Sequence, residues 1–295
     1  MNEQDWLAAR FEEHRSHLRG VAFRMLGSTA EADEAVQNTW LRLSRSDADG
    51  VENIRAWLTT VIARVCLNVL ESRRTRREEP LDCHVPDPIV GLDGEADPEQ
   101  EALLADSVGL ALQVVLDALP PSERLAFVLH DMFDLTFDEI APMLGRSPAA
   151  ARQLASRARR RVRGAPSHAT EPSGERHRAI VDAFFAAAKG GNLEALIAVL
   201  DPDVVLRADG GHARREVSIV LQGADAIAQR AFTFVKMATT VRPALVNGTA
   251  GAVVLGKDGP ISVMGFTVND GKISEIDTLA DPERLARLDL SAFKA

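Results

Sequence analysis

The chain has no tyrosine, only two cysteines, and no apolar run approaching the roughly 18 residues of a membrane-crossing helix. Without tyrosine, no phenol can act as an oxyanion donor or a general acid. Cys66 and Cys83 are too far apart for a metal-ligand spacing and too few for a disulfide framework. Cys83 and His84 are neighbours, but two adjacent residues cannot fill a tetrahedral metal site. The N-terminus has no signal-peptide pattern. These absences lead to the expectation of a soluble, cytoplasmic protein with no metal, no cofactor and no membrane attachment.

What is present is ordinary globular material: 295 residues, 46% hydrophobic and 26% charged, enough for two or three domains. The net charge of −9 argues by itself against a nucleic-acid partner. The charge is segregated, however. Arg73, Arg74, Arg76 and Arg77 form one basic cluster and Arg157–Arg163 a second, while Glu78–Asp106 carries many acids and no Lys or Arg. Local basic patches govern nucleic-acid contact more than the sum does.

The stretch Thr136–Arg163 reads as two helices joined by a tight turn. Thr136 and Glu139 have capping-box spacing. Ile140, Ala141 and Leu144 share a face, and Gly145 suits a left-handed helix end. Ser147 is placed to cap the next helix, and Pro148 fits its first position. That helix has an apolar stripe of Ala151, Leu154, Ala155, Ala158 and Val162. Opposite lie Ala149, Arg152, Gln153, Ser156 and Arg160, a face rich in the guanidinium and amide groups that read base edges and phosphates. This pattern predicts a helix-turn-helix with Ser147–Arg161 as recognition helix. The plainer reading is a basic surface helix in a bundle.

Ahead of it, residues 1–78 read as helical. Trp6–Met25 is amphipathic, and Gly27 breaks it. Ser28 and Glu31 offer a capping box for Thr29–Leu43, which puts Asp33, Glu34, Gln37, Thr39 and Arg42 on polar positions. Asn53 caps a long helix, Ile54–Arg74, ending in the basic cluster. Trp57 there is a candidate base wedge, although its register points to the core. Residues 79–106 are an acidic Pro/Gly linker, expected to be solvated or, more sharply, to compete with DNA for basic faces. Leu103–Leu119 reads as amphipathic, and Ser122 as the cap of Glu123–Phe133. Residues 107–164 thus form a four-helix module, and 165–174 a second linker.

The Leu26–Leu43 stretch with its Ala32-Asp33-Glu34-Ala35-Val36-Gln37 run, the Asn53–Leu58 and Ala63–Arg74 stretches, and Leu119–Arg163 resemble a bacterial extracytoplasmic-function sigma factor of RNA polymerase. The resemblance implies a region two that docks on core polymerase through Asp33, Glu34, Gln37, Trp40 and Leu41. It implies −10 contacts from Asn53, Asn68, Arg73, Arg74, Arg76 and Arg77. It implies a region four that reads the −35 element through Ser147, Ala149, Arg152, Gln153, Ser156, Arg157 and Arg160.

Residues 175–295 go beyond such a factor. Helical patterns at Arg176–Ala188, Asn192–Leu200 and Ala224–Met237 accompany strands at Asp203–Ala208, Glu216–Leu221, Thr240–Val246, Ala250–Leu255, Ile261–Val268 and Lys272–Thr278. Asn247-Gly248 and Asn269-Asp270-Gly271 are hairpin signals. Asp281–Leu288 reads as a closing helix. The expected fold class is two all-α domains followed by an α+β cone that resembles the SnoaL-like fold. Asp209-Gly210-Gly211 and Asp281-Pro282-Glu283-Arg284-Leu285 are similar to two motifs of the sigma subgroup with such an extension, and His84–Pro88 to its linker motif. Asp209, Gly210, Gly211, Asp281, Pro282 and Leu285 are therefore the candidate regulatory residues. Asp209, His212 and Asp277 are candidates for proton transfer, but Asp209 is more simply a turn residue and Asp277 alternates outward, so an enzyme is not expected. The reading is a monomeric sigma factor, bound by core polymerase and promoter DNA, with a cone that regulates in cis and has room for an unknown small-molecule ligand. Its rival is a conventional helix-turn-helix regulator with a sensing or enzymatic domain.

Overall fold

A computed structural model describes residues 3–45, 53–75, 83–92, 109–164, 174–235, 238 and 240–293. The chain divides into two compact units: Met1–Glu79 with Val115–Ala165, and Pro80–Val114 with Pro166–Ala295. Residues 93–108 and 165–173 lie outside the description, as do Arg76 and Arg77.

The first unit begins with three helices, α1 (Glu3–Leu26), α2 (Thr29–Leu43) and α3 (Ile54–Thr75). Leu18, Val21, Met25, Ala32, Val36, Leu58, Ile62 and Cys66 are buried among them. Each large apolar side chain so buried contributes roughly 1.5–3 kcal/mol. Gly27 has φ +70°, the left-handed conformation that separates α1 from α2. Asn53 Oδ1 accepts from the Ala56 amide at 3.1 Å, the expected cap of α3. Two expectations fail here. The Ser28–Glu31 capping box does not form: Ser28 makes no side-chain cap, and the Glu31 carboxylate pairs with Arg73 on α3. Thr39 is fully buried, its hydroxyl donating to Ala35 O at 2.9 Å, and so is tolerated on the apolar face.

The remaining helices are α4 (Leu110–Asp117), α5 (Pro121–Phe127) with a π turn at Val128–Met132, α6 (Phe137–Leu144) and α7 (Pro148–Gly164). Helix α4 is described from Leu110 only. Helix α5 starts at Pro121 with Pro120 as N-cap rather than at Ser122, since proline at N1 gives up only an N–H that would lack a partner. The turn between α6 and α7 is as expected. Thr136 and Glu139 form both halves of a capping box, Gly145 sits at φ +60°, and Ser147 Oγ accepts from the Ala150 amide at 3.3 Å.

Within this unit α5 and its neighbours pack on α1 and α3. Arg124, 2% exposed, donates from Nε and Nη2 to Arg24 O at 3.0 and 2.8 Å, and from Nη1 to Asp117. Arg24 lies over the Phe133 ring at 4.7 Å, and Arg64 Nη2 donates to Pro142 O at 3.0 Å.

The second unit contains α8 (Glu175–Gly190), α9 (Leu193–Val199), β2 (Leu200–Asp209), β3 (Ile219–Gln222), α10 (Ala224–Val235), β4 (Thr240–Val246), β5 (Thr249–Gly256), β6 (Gly259–Asn269), β7 (Lys272–Leu279) and a short α11 (Pro282–Leu285). With β1 (Val90–Gly91) the strands form one sheet in the order β1-β4-β5-β6-β7-β2-β3. All pairs are antiparallel except β2 with β7. Asn247-Gly248 and Asp270-Gly271 have the consecutive positive φ angles that close a tight hairpin. Val181, Phe184, Leu196, Ile227, Met264, Phe266 and Ile276 form one core with the helices. Val85, Val90, Leu110, Val246, Val253, Leu279, Leu285 and Phe293 form the other.

That second core overturns the expectation of a solvated spacer for part of the linker. Cys83, Val85, Ile89 and Val90 are buried, because they supply the apolar cover that this face of the sheet otherwise lacks. Strand β1 pairs Val90 with Val246 and Gly91 with Leu245. Asn247 ties the same segment down, its Oδ1 accepting from Ile89 N at 2.7 Å and its amide donating to Ile89 O at 2.8 Å.

Candidate functional site

The recognition helix α7 turns Ala151, Ala155 and Ala158, all fully buried, onto its neighbours. At about 100° per residue this leaves Ala149, Arg152, Gln153, Ser156 and Arg160 on the outward arc, as expected, and all are exposed. Ser147, at the cap, is exposed as well. Arg152 stacks over the Phe137 ring at 5.2 Å. Arg157 lies off that arc. Its Nε donates to Glu123 Oε1 at 2.8 Å, while Arg161 Nη1 donates to Glu123 Oε2 at 2.7 Å. On the other flank Arg159 Nε donates to Asp131 Oδ1 at 2.6 Å.

Helices α1 and α2 border a groove of about 500 Å³. Asp33, Glu34, Gln37 and Trp40 line it together with Phe11 and Arg15, so four of the five residues expected to meet polymerase share one surface. Trp40 packs on Phe11 with ring centroids 5.2 Å apart, and Asp33 pairs with Arg19 Nε at 2.7 Å. Leu41, the fifth, is 41% exposed on the same helix. An exposed leucine and a half-buried tryptophan beside acids are the anchors from which a protein–protein contact is built.

Of the −10 candidates, Asn68 and Arg74 are exposed on α3, and Trp57 is half-buried. Arg73 is engaged with Glu31 and with Leu26 O. Asn53 lines a cleft of about 360 Å³ that is also walled by Phe133, Leu135 and Pro142 of the helix-turn-helix module.

In the second unit the three short motifs converge. Asp209 is buried and accepts from Val85 N at 3.1 Å, from Gly211 N at 3.0 Å and from Arg284 Nη1 at 2.7 Å, with His84 Nδ1 3.1 Å away. Arg284 also donates from Nε to Asp87 at 2.6 Å and from Nη2 to Val85 O at 2.6 Å. Burial alone would raise the Asp209 carboxyl, but the hydrogen bonds from His84 and the Val85 amide and the charge of Arg284 pull it down to about 2. Asp281 caps α11, accepting from Glu283 N at 2.9 Å. Gly211 sits at φ +63°, and a Cβ there would stand 2.0 Å from Asp281 Oδ2. At Gly210 a Cβ would stand 2.2 Å from Arg214 O. Pro282 opens α11, and Leu285 is buried in the core that also holds Val90 of β1.

Asp209 and Asp281 are legible in the sequence as site residues, whereas Asp87 and Arg284 are not. Their signal was opposite charge inside two motifs already singled out. The proton-transfer candidates do not come together. Asp209 is committed to Arg284 and the linker, and His212 is exposed beside Arg215. Asp277 is not outward in solvent: it is 2% exposed and accepts from Arg207 Nη1 at 3.0 Å, sharing that guanidinium with the fully buried Glu275. Desolvation raises the Glu275 carboxyl against the pull of Arg207. Among the described residues no group of three or more acids, histidines or cysteines is placed to hold a metal, and no helix is long and apolar enough to cross a membrane.

The family models for sigma-70 region 2 and sigma-70 region 4 match residues 10–77 and 109–162. Along almost its whole length the chain is 35% identical, over 300 residues, to the ECF RNA polymerase sigma factor SigJ of Mycobacterium tuberculosis (strain ATCC 25618 / H37Rv), covering 97% of this chain and 96% of the relative. The chain belongs to the ECF RNA polymerase sigma factors. The probable ECF sigma factor SigI of the same species is 35% identical over 290 residues, with 97% of each chain covered. The crystal structure of M. tuberculosis SigJ superposes with a TM-score of 0.78 at 34% identity, covering 96% of this chain and 99% of that one. This sigma factor therefore directs transcription initiation with core polymerase on promoter DNA, and is not an enzyme. Its helical unit holds regions two and four, and the α+β domain is part of the shared full-length architecture.

Proposed function

We propose that the α+β domain regulates this sigma factor in cis by holding the linker between regions two and four. The observation that carries this is the docking of Cys83–Leu92, through β1, the Val85 amide and the Arg284 guanidinium, on the α+β domain. Ten residues of extended chain reach about 33 Å. Docked, that length is withdrawn from the tether between the two promoter-reading regions.

The packing of region four on region two acts in the same direction. The −10 and −35 elements lie about 25 base pairs apart, or about 85 Å at 3.4 Å per pair. A compact unit of about 130 residues is only about 36 Å across. The packed form cannot read both elements, so it is the resting form, and core polymerase draws out the extended one by binding it better. In the extended form Asp33, Glu34, Gln37, Trp40 and Leu41 dock on polymerase. Asn53, Asn68, Arg73 and Arg74 face the −10 element, with Arg76 and Arg77 continuing that basic cluster. Ser147, Ala149, Arg152, Gln153, Ser156 and Arg160 face the −35 element, while Arg157, expected among them, is held by Glu123 beside that surface. Free, the chain is a monomer.

The test is run-off transcription with core polymerase, comparing the wild-type chain, Arg284→Ala, the milder Asp87→Asn, and a truncation after Pro166. Undocking should raise initiation above wild type, more for Arg284→Ala than for Asp87→Asn, and the truncation gives the effect of removing the whole domain. Equal output from wild type and both point variants, each folded, would reject a regulatory role for the docked linker.

A further inference from the structure

Glu123 takes no part in the expected DNA surface, yet it lies at the centre of the helix-turn-helix module. It is 6% exposed, and each of its carboxylate oxygens takes one guanidinium from α7, Oε1 that of Arg157 and Oε2 that of Arg161. The two arginines are one helical turn apart, on a flank of α7 and not on its outward arc. About half of each arginine side chain remains exposed, so both would be within reach of a phosphate if released. An acid in a DNA-binding module opposes DNA electrostatically. Two unrestrained arginines on the flank would, in contrast, add sequence-independent phosphate contacts.

We propose that Glu123 is a specificity-determining residue for −35 recognition. It withholds Arg157 and Arg161 from the phosphate backbone and fixes the rotation of α7, so that Ser147, Ala149, Arg152, Gln153, Ser156 and Arg160 meet the groove without them. The proposal rests on α7 being the −35 recognition helix. Glu123 is a positioning residue here, because it acts through two arginines and does not touch the bases. Its removal is expected to do the reverse of generic repair. Binding to arbitrary DNA strengthens while discrimination falls.

The experiment uses the full chain and fluorescent duplexes of two kinds, the −35 sequence that the wild-type chain selects from a randomised pool and a scrambled version. Affinity is followed by anisotropy between about 50 and 300 mM KCl, where each phosphate contact contributes about 0.9 to the slope of log affinity against log salt. Glu123→Gln should steepen the slope on scrambled DNA by about 1–2 and cut the specific-to-scrambled ratio by about tenfold. Arg157→Gln with Arg161→Gln should leave the slope unchanged when Glu123 is present and cancel the added slope when it is absent. A wild-type slope in Glu123→Gln overturns the proposal. If that variant does not fold, the paired arginine variant decides instead, and a slope lowered by about 2 would show both arginines already on phosphates and overturn it equally. Arg152→Ala separates the underlying reading. It should lose discrimination, and full discrimination in that variant would reject α7 as the recognition helix.

Discussion

Replacing Arg124 by methionine tests whether regions two and four are held together by a buried guanidinium. The side chain is 2% exposed and uses all three nitrogens, two on Arg24 O at 3.0 and 2.8 Å and one on Asp117. Arg24 O belongs to the last turn of α1, where carbonyls lack intrahelical partners and a cation is favoured. Methionine matches the apolar stem but takes away this donor from that carbonyl and from the Asp117 carboxylate. Removing one partner of a buried pair costs about 3–5 kcal/mol. The chain's three tryptophans, Trp6, Trp40 and Trp57, all lie in the helical unit, so their fluorescence in a urea titration reports that unit alone. With a slope of about 1.5–2 kcal/mol per molar urea, the midpoint should fall by about 2 M. Arg124→Lys keeps the charge without the planar fork and should recover less than half of the loss. A midpoint within about 0.5 M of wild type for Arg124→Met would refute the reasoning, since that leaves under about 1 kcal/mol for the entire contact.

Three further outcomes are expected. The Asp209 carboxyl, depressed from 3.8 to about 2 in the folded chain, contributes stability present above about pH 4 and lost as pH falls towards 2. That displacement is worth about 2 kcal/mol, and acid titration of Asp209→Asn followed by calorimetry should lack this pH dependence. Gly211→Ala should destabilise the α+β domain by at least about 1–2 kcal/mol, from the left-handed backbone alone, with more from the pressure on Asp281. A melting temperature equal to wild type would count against the tight approach of the two motifs. Thr136→Ala removes the capping box of α6 and should cost about 1 kcal/mol in the tryptophan-monitored urea titration.

Local chemistry was legible wherever a short motif had one good solution. The Thr136–Glu139 capping box, Gly145, the Ser147 cap and the Asn-Gly and Asp-Gly hairpins all stand as the residues suggested. The turn signals between the runs located β4–β7 to within two residues. What escaped depended on partners distant in sequence. Ser28 and Glu31 have the spacing of a capping box, but Arg73 competes for the carboxylate from the next helix. Asp277 reads as outward on its strand until Arg207, some 70 positions away, buries it in an ion pair. The Cys83–Leu92 segment has the prolines and acids of a spacer, and only the bare face of a sheet formed more than 100 residues later turns it into core. For the same reason Arg284 and Asp87 were invisible as a pair.

On the proposed reading two restraints, region four on region two and linker on the α+β domain, oppose the same extended form but share no residue. If they act independently, their free energies add, and the apparent promoter affinity falls by the fraction of chains that are open. A restraint of about 3 kcal/mol leaves under about 1% open, an apparent weakening of more than about a hundredfold. Releasing only one restraint recovers only its own share. At limiting chain concentration, Arg124→Met and Arg284→Ala should therefore each raise run-off transcription, and the double variant should raise it by the product of the two factors. A double variant no more active than the better single one would mean that the linker and the region-two contact release in one step. The α+β domain would then control the packing of the two sigma regions directly, and not only the reach of the tether.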